Sequence, residues 1–160
     1  MFYAILAAFA AVIVILDQVV KYLVVQNIPL GGMVPVWPGV IHLTYVKNTG
    51  MSFSLLEGQR WFFVVVTLVI LAAMVVAVRK KWVRHPMGLW ALAAIAGGAV
   101  GNFIDRLLLG YVIDMFEVEF IRFAVFNVAD CFLVCGTIVL VIYALFFDRP
   151  KEDTGHGADG

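Results

Sequence analysis

Four stretches of this chain, at about 3–25, 61–78, 87–106 and 129–147, stay apolar long enough to cross a bilayer, and most of the polar residues fall at their ends or between them. Each is expected to be a helix, because a lone helix satisfies its own backbone hydrogen bonds in hydrocarbon and an open strand does not. Only Thr67 interrupts the second run between Trp61 and Val78, so that helix reads as a lipid-facing support. The third run carries Gly97, Gly98 and Gly101. Gly97 and Gly101 have the small-xxx-small spacing that lets helices approach closely, which predicts a central helix. The connecting stretches 26–60 and 107–128 look structured. Val40 to Val46 (VIHLTYV) and Phe116 to Phe120 (FEVEF) show alternation or β-branched enrichment, predicting a small sheet on the membrane surface.

The fold class expected is therefore an all-α membrane bundle of four transmembrane helices with a small β-sheet on the outer, periplasmic surface. Residues 1–147 form its single integral-membrane domain. The tail after Phe147 is polar, charged and Gly-rich, and 148–160 is expected to be a disordered cytoplasmic tail. The cluster Arg79, Lys80, Lys81, Arg84 between the second and third spans sets the orientation. The positive-inside rule places it in the cytoplasm, which puts both termini there and the stretches 26–60 and 107–128 outside.

Composition agrees, with 64% hydrophobic and 14% charged residues, against about 45–50% and about 25% in soluble domains. The net charge is zero and no basic stripe could follow a phosphate backbone, so nucleic acid is not an expected partner. Cys131 and Cys135, four apart on one helix face, are expected to be small, buried, reduced residues, since that spacing rarely meets disulfide geometry. The first run lacks a basic leader and carries Asp17, Gln18 and Lys21 where a small-residue cleavage site would lie, so it reads as a retained span.

The polar residues at one end of these spans carry the candidate chemistry. Asp17 and Lys21 lie one turn apart in the first span; Asn48 and Gly50 fall in YVKNTGMSF; Asn102, Asp105 and Arg106 end the third span in GGAVGNFIDR; Asp114 lies in YVIDMF; Asn127 and Asp130 open the fourth span in FNVAD. Each has a plain structural reading: an i,i+4 ion pair for Asp17 and Lys21, a helix cap for Asn127 with Asp130, and a headgroup-level span end for Asp105 and Arg106. Asp114, between Ile113 and Met115, is the hardest to explain that way. The topology brings all of them to the same side, and ionisable groups within a membrane domain are costly enough to mark a site.

The chemistry narrows by residue type. The two serines, Ser52 and Ser54, sit in no nucleophile elbow, and His42, His85 and His156 are predicted outside, inside and in the tail, without zinc-ligand spacing. Paired carboxylates remain. An ionised Asp can take a proton from water while a protonated partner polarises an amide carbonyl, and two close carboxylates near lipid favour sharing one proton. Asp114 and Asp130 are the expected pair, with Asp130 carrying more of the charge because it opens a helix. This chemistry requires no metal or organic cofactor.

The ordered set DQVVK (17–21), NTGMSF (48–53), GGAVGNFIDR (97–106), VIDMF (112–116) and FNVAD (126–130) resembles the motifs of the lipoprotein signal peptidases, also called signal peptidase II. The resemblance covers nearly the whole chain, in the same order and with the four-span layout. It implies an aspartyl endopeptidase of the bacterial inner membrane that removes the signal peptide from a diacylglyceryl-modified prolipoprotein, on the amino side of the lipidated cysteine. By motif the catalytic dyad again falls on Asp114 and Asp130. Asp17, Lys21, Asn48, Gly50, Gly98, Asn102, Asp105, Arg106 and Asn127 match supporting positions: the asparagines and Arg106 are expected to position dyad and substrate, and Asp17 and Lys21 to stabilise the site from the first helix. Membrane lipid is the other expected partner, and a monomer is expected. Met115, and Met51 with Ser52, depart from residues common in the family and are expected to bear on substrate fit. The loop Leu55 to Gln59 is a candidate cover for the site. The competing readings are a small proton-coupled transporter and a non-catalytic assembly or lipid-binding subunit.

Overall fold

The computed structural model describes residues 1–50 and 58–147. The predicted tail, the Met51–Ser52 departure and most of the loop at 55–59 lie outside the described residues. Four helices, α1 (Phe2–Asn27), α2 (Arg60–Arg79), α3 (Pro86–Leu108) and α4 (Val128–Phe146), are each long and apolar enough to span a membrane. Three strands, β1 (Met33–Trp37), β2 (Ile41–Asn48) and β3 (Val112–Val118), form one antiparallel sheet in that order at the end of the bundle opposite the basic turn. A four-helix membrane bundle with a small sheet is the fold class the residue pattern predicts.

α3 is the hub, packed against α1, α2 and α4. Its glycines explain how. A Cβ at Gly97 would lie 2.9 Å from the Ala10 carbonyl oxygen of α1, and one at Gly98 would lie 2.5 Å from the Ala129 carbonyl oxygen of α4. With lipid outside and no hydrophobic drive between helices, such backbone-to-backbone approach supplies much of the association. Gly98→Ala is therefore expected to wedge α3 from α4 at the layer of the polar residues, lowering stability by about 1–3 kcal/mol. A detergent unfolding midpoint unchanged from wild type would show that the helices yield freely. α2 buries only Phe63 and Val64, as befits a lipid-facing support.

Besides β1, which lies outside the strands expected from the residue pattern, two details differ from the sequence expectation. β3 begins at Val112, not Phe116, so Asp114 lies within a strand; β2 and β3 pair Asn48 with Val112 and Val46 with Asp114. Cys131 and Cys135 are exposed free thiols, because α4 turns Gly136, not its cysteines, toward Ala91 and Ile95 of α3.

The sheet has its own small core of Val24, Ile28, Tyr45, Ile113 and Met115. Met115 is completely buried there. On β2, His42 is buried with its Nδ1 3.0 Å from Glu119 and its Nε2 2.9 Å from Glu117. Two carboxylate acceptors need two ring donors, which only the imidazolium has. The hydrogen bonds to Glu119 and Glu117 hold the His42 pKa above its usual 6.5 against the opposing effect of burial. A raised folded-state pKa stabilises the sheet fully below the unfolded value near 6.5 and is lost as pH rises through the folded one. An NMR titration should place His42 above 6.5, with amide protection in β2 and β3 falling across the same step; a midpoint at or below 6.5 would contradict this.

Candidate active site

Lys21 is the anchor. Its ammonium group, 1% exposed, lies 2.8 Å from Asp17, 2.9 Å from Asp105 and 3.0 Å from the Asn102 side-chain oxygen. Three donors meet three acceptors, which is what a buried lysine requires. The two carboxylates then reach outward. Asp17 accepts the Ala129 backbone N–H at 2.9 Å, fixing the start of α4 to α1. Asp105 accepts the Ile113 N–H at 3.1 Å, fixing β3 to the end of α3, and accepts the Gln18 amide at 2.9 Å. Gln18 also donates to the Gly101 carbonyl oxygen at 3.2 Å. Sequence reasoning gave Gln18 no role here; the signal was an uncharged but polar group one step from Asp17 in a span.

From this anchor the orientation of each amide follows. Asn102 Oδ1 accepts from both Lys21 and Asn127, so its Nδ2 is turned toward Asp130 and donates at 2.8 Å. Asn127 caps α4 in a reciprocal box: its Oδ1 accepts the Asp130 N–H at 2.9 Å, and Asp130 accepts the Asn127 backbone N–H at 3.2 Å. That leaves Asn127 Nδ2 pointing at Asp114 Oδ1, 2.6 Å away. The other Asp114 oxygen accepts from Asn48 at 2.8 Å, and Asn48 is held in turn by the Gly50 N–H at 3.0 Å. The loop before α4 is pinned to β3 where Phe116 and Phe126 exchange backbone hydrogen bonds. The cap expected of Asn127 and Asp130 and the i,i+4 pair of Asp17 and Lys21 are thus both present, as parts of a larger network.

Asp114 and Asp130 line one cleft of about 450 Å³. Asn48, Gly50, Asn102 and Arg106 share its polar end, while Thr67, Ile70, Ile95, Leu133 and Thr137 line a part that continues between α2, α3 and α4. The threonines belong to the cleft and were not singled out from sequence. Arg106 stacks over Phe63 at 4.8 Å and faces the charges of Asp130, Asp114 and Asp105. Gly98, Asp17, Lys21, Asp105 and Asn127 stand behind the cleft and shape it from the helix contacts. Burial is the main reason the Asp114 pKa rises to about 6; the Asn48 hydrogen bond opposes the rise and the neighbouring Asp130 charge adds to it. Four carboxylates here (Asp17, Asp105, Asp114, Asp130) face two cations, Lys21 and Arg106, so one bound proton reduces an otherwise uncompensated negative charge. Among the described residues, no group of three or more His, Cys, Asp or Glu could hold a metal ion.

The family described as signal peptidase (SPase) II matches residues 9–146. The lipoprotein signal peptidases of Streptococcus pyogenes serotype M5 (strain Manfredo) and serotype M18 (strain MGAS8232) are each 46% identical over 134 residues, covering 81% of this chain and 86% of theirs. Two solved structures of bacterial membrane enzymes, obtained by the in meso method, superpose with TM-scores of 0.87 and 0.82 at 32% and 33% identity. They cover 94% and 91% of this chain, and 93% and 95% of those chains respectively.

Proposed function

The chain belongs to the signal peptidase II family, and from that premise we propose that Asp114 and Asp130 are the carboxylates with which it cuts. It is a membrane aspartyl peptidase that cleaves lipoprotein signal peptides. The observation that carries the dyad assignment is the Asn127 bridge: one side chain caps Asp130 and donates to Asp114, so a strand and a helix present their carboxylates to the same cleft.

In the proposed reaction Asp130 is the ionised partner. It sits in the first turn of α4, where the helix dipole favours negative charge, and accepts two N–H groups. Asp114 holds the proton. Asp130 takes a proton from water as the water oxygen bonds to the scissile carbonyl carbon, while Asp114 gives its proton to the carbonyl oxygen. The resulting diol collapses as the C–N bond breaks, with Asp130 returning its proton to the leaving amine and Asp114 recovering one from the diol. Asn48, Asn102 and Asn127 hold the carboxylates in register, and Arg106 meets charge developing in the cleft.

The substrate is a diacylglyceryl-modified prolipoprotein cut on the amino side of its lipidated cysteine. The polar end of the cleft suits the scissile peptide, and its apolar walls suit the hydrophobic stretch beside it. The basic turn after α2 supports placing both termini in the cytoplasm and the dyad near the outer face of the bacterial inner membrane; a monomer is the proposed working unit. Carboxylates within the spans gather at the sheet end, which disfavours a proton path across the bilayer. Purified protein in detergent should cleave a diacylglyceryl-modified precursor, leave an unlipidated one essentially uncut, and keep its rate in chelator. Loss of activity in chelator would overturn the metal-free mechanism.

A further inference from the structure

The basic end of the bundle, remote from the dyad, contains a second recess. A groove of about 390 Å³ opens between α1, α2 and α3, walled by Tyr3, Ala7, Leu71, Met74 and Ala93, with Arg79 at its end. From Arg79 to Leu71 is eight residues, so it runs about 12 Å along α2, within the half-thickness of a hydrocarbon core of about 30 Å. Its reach is that of an acyl chain in one leaflet.

The mouth is cationic. Arg79, Lys80, Lys81 and Arg84 cluster there, and no Asp or Glu occurs from Gly58 to Ile104 or before Asp17. The turn is ordered by backbone geometry: Trp82 N–H bonds the Ala77 carbonyl, Lys81 N–H bonds that of Val78, and the Arg84 guanidinium donates to the Lys81 carbonyl at 2.8 Å. Lys81 occupies the left-handed position, φ 58°, where glycine is the usual residue. A cation is thus kept at a position whose backbone favours a residue without a side chain. Tyr3 and Trp82, 60% and 66% exposed, mark this level as the headgroup boundary.

We propose that this groove is a binding site for an anionic phospholipid, with one acyl chain between α1, α2 and α3 and the phosphate against Arg79 and the basic turn. The proposed orientation makes this the cytoplasmic leaflet; the site itself does not depend on the dyad or on that orientation. A docked helix would fill an apolar groove without regard to headgroup, whereas a lipid held this way is selected by its charge.

Native mass spectrometry of the full chain in detergent, offered equal phosphatidylglycerol and phosphatidylcholine with identical acyl chains, reads both parts. Phosphatidylglycerol should be retained preferentially, and Arg79→Gln should cut that preference about fivefold, the equivalent of roughly 1 kcal/mol per basic residue at a membrane surface. Ala93→Phe, which fills the groove, should lower retention of both lipids. Equal retention of the two lipids by the wild type, or unchanged selectivity in Arg79→Gln, would overturn the proposal. Arg79 is an exposed helix end, so its variant decides the matter even if Ala93→Phe fails to fold.

Discussion

Lys21→Met should leave a protein that inserts but is less stable by about 3–5 kcal/mol, the usual cost of removing one partner from a buried ion cluster. The methionine fills the space, so the loss is electrostatic. Asp17 and Asp105 would each keep a buried negative charge with no cation, and both hold other elements in place, Asp17 the start of α4 and Asp105 the start of β3. The amide of Asn102 would also lose the contact that turns its NH2 toward Asp130. Cleavage should therefore fall along with the unfolding midpoint in detergent. Neutralising both carboxylates in the same background, as Lys21→Met with Asp17→Asn and Asp105→Asn, should recover part of the midpoint but not the cleavage rate. A single variant as stable as wild type would show that water reaches these groups and that the cluster is not a buried one.

Helices and site differ in how legible they are in the chain. Hydropathy alone marks the four spans because a helix satisfies its backbone within one segment and a lone strand in lipid does not, and Gly97, Gly98 and Gly101 mark the hub because only small residues allow the contacts seen there. Which polar residues share a layer also follows from topology. What the pattern does not carry is direction around each helix at its ends. Gln18 turns toward Asp105 and Gly101, and Cys131 and Cys135 turn outward. β1 is invisible for a different reason: all five of its residues are exposed and Pro35 interrupts its donors, which an edge strand tolerates and a pattern search rejects. The start of β3 is hidden because Val112, Ile113, Asp114 and Met115 are all buried and show no alternation. The bridging role of Asn127 rests on two hydrogen bonds beyond its cap, to Asn102 and Asp114, which no spacing rule reports.

Asp114→Asn and Asp130→Asn should each fold, with a modest loss of stability, and lose cleavage by roughly 10²–10⁴-fold or more, the range typical of a positioned acid or base. Asparagine keeps the shape of aspartate, so the packing of β3 and α4 is preserved, but it offers one acceptor oxygen where each carboxylate meets two donors, so each variant loses one hydrogen bond along with the capacity to move a proton. The reasons differ between the two. In Asp114→Asn the new amide would still face Asn48 and Asn127 but could not give a proton to the carbonyl oxygen. In Asp130→Asn it would still sit at the α4 cap but could not take one from water. Because the two act in one step, the double variant should be scarcely slower than either single one. The most direct measurement is the cleavage rate of a diacylglyceryl-modified prolipoprotein by wild type, both single variants and the double variant, each matched for unfolding midpoint. Near-complete loss in both single variants, with no further loss in the double, is the result this account predicts; a folded Asp114→Asn or Asp130→Asn that cuts at the wild-type rate would contradict it.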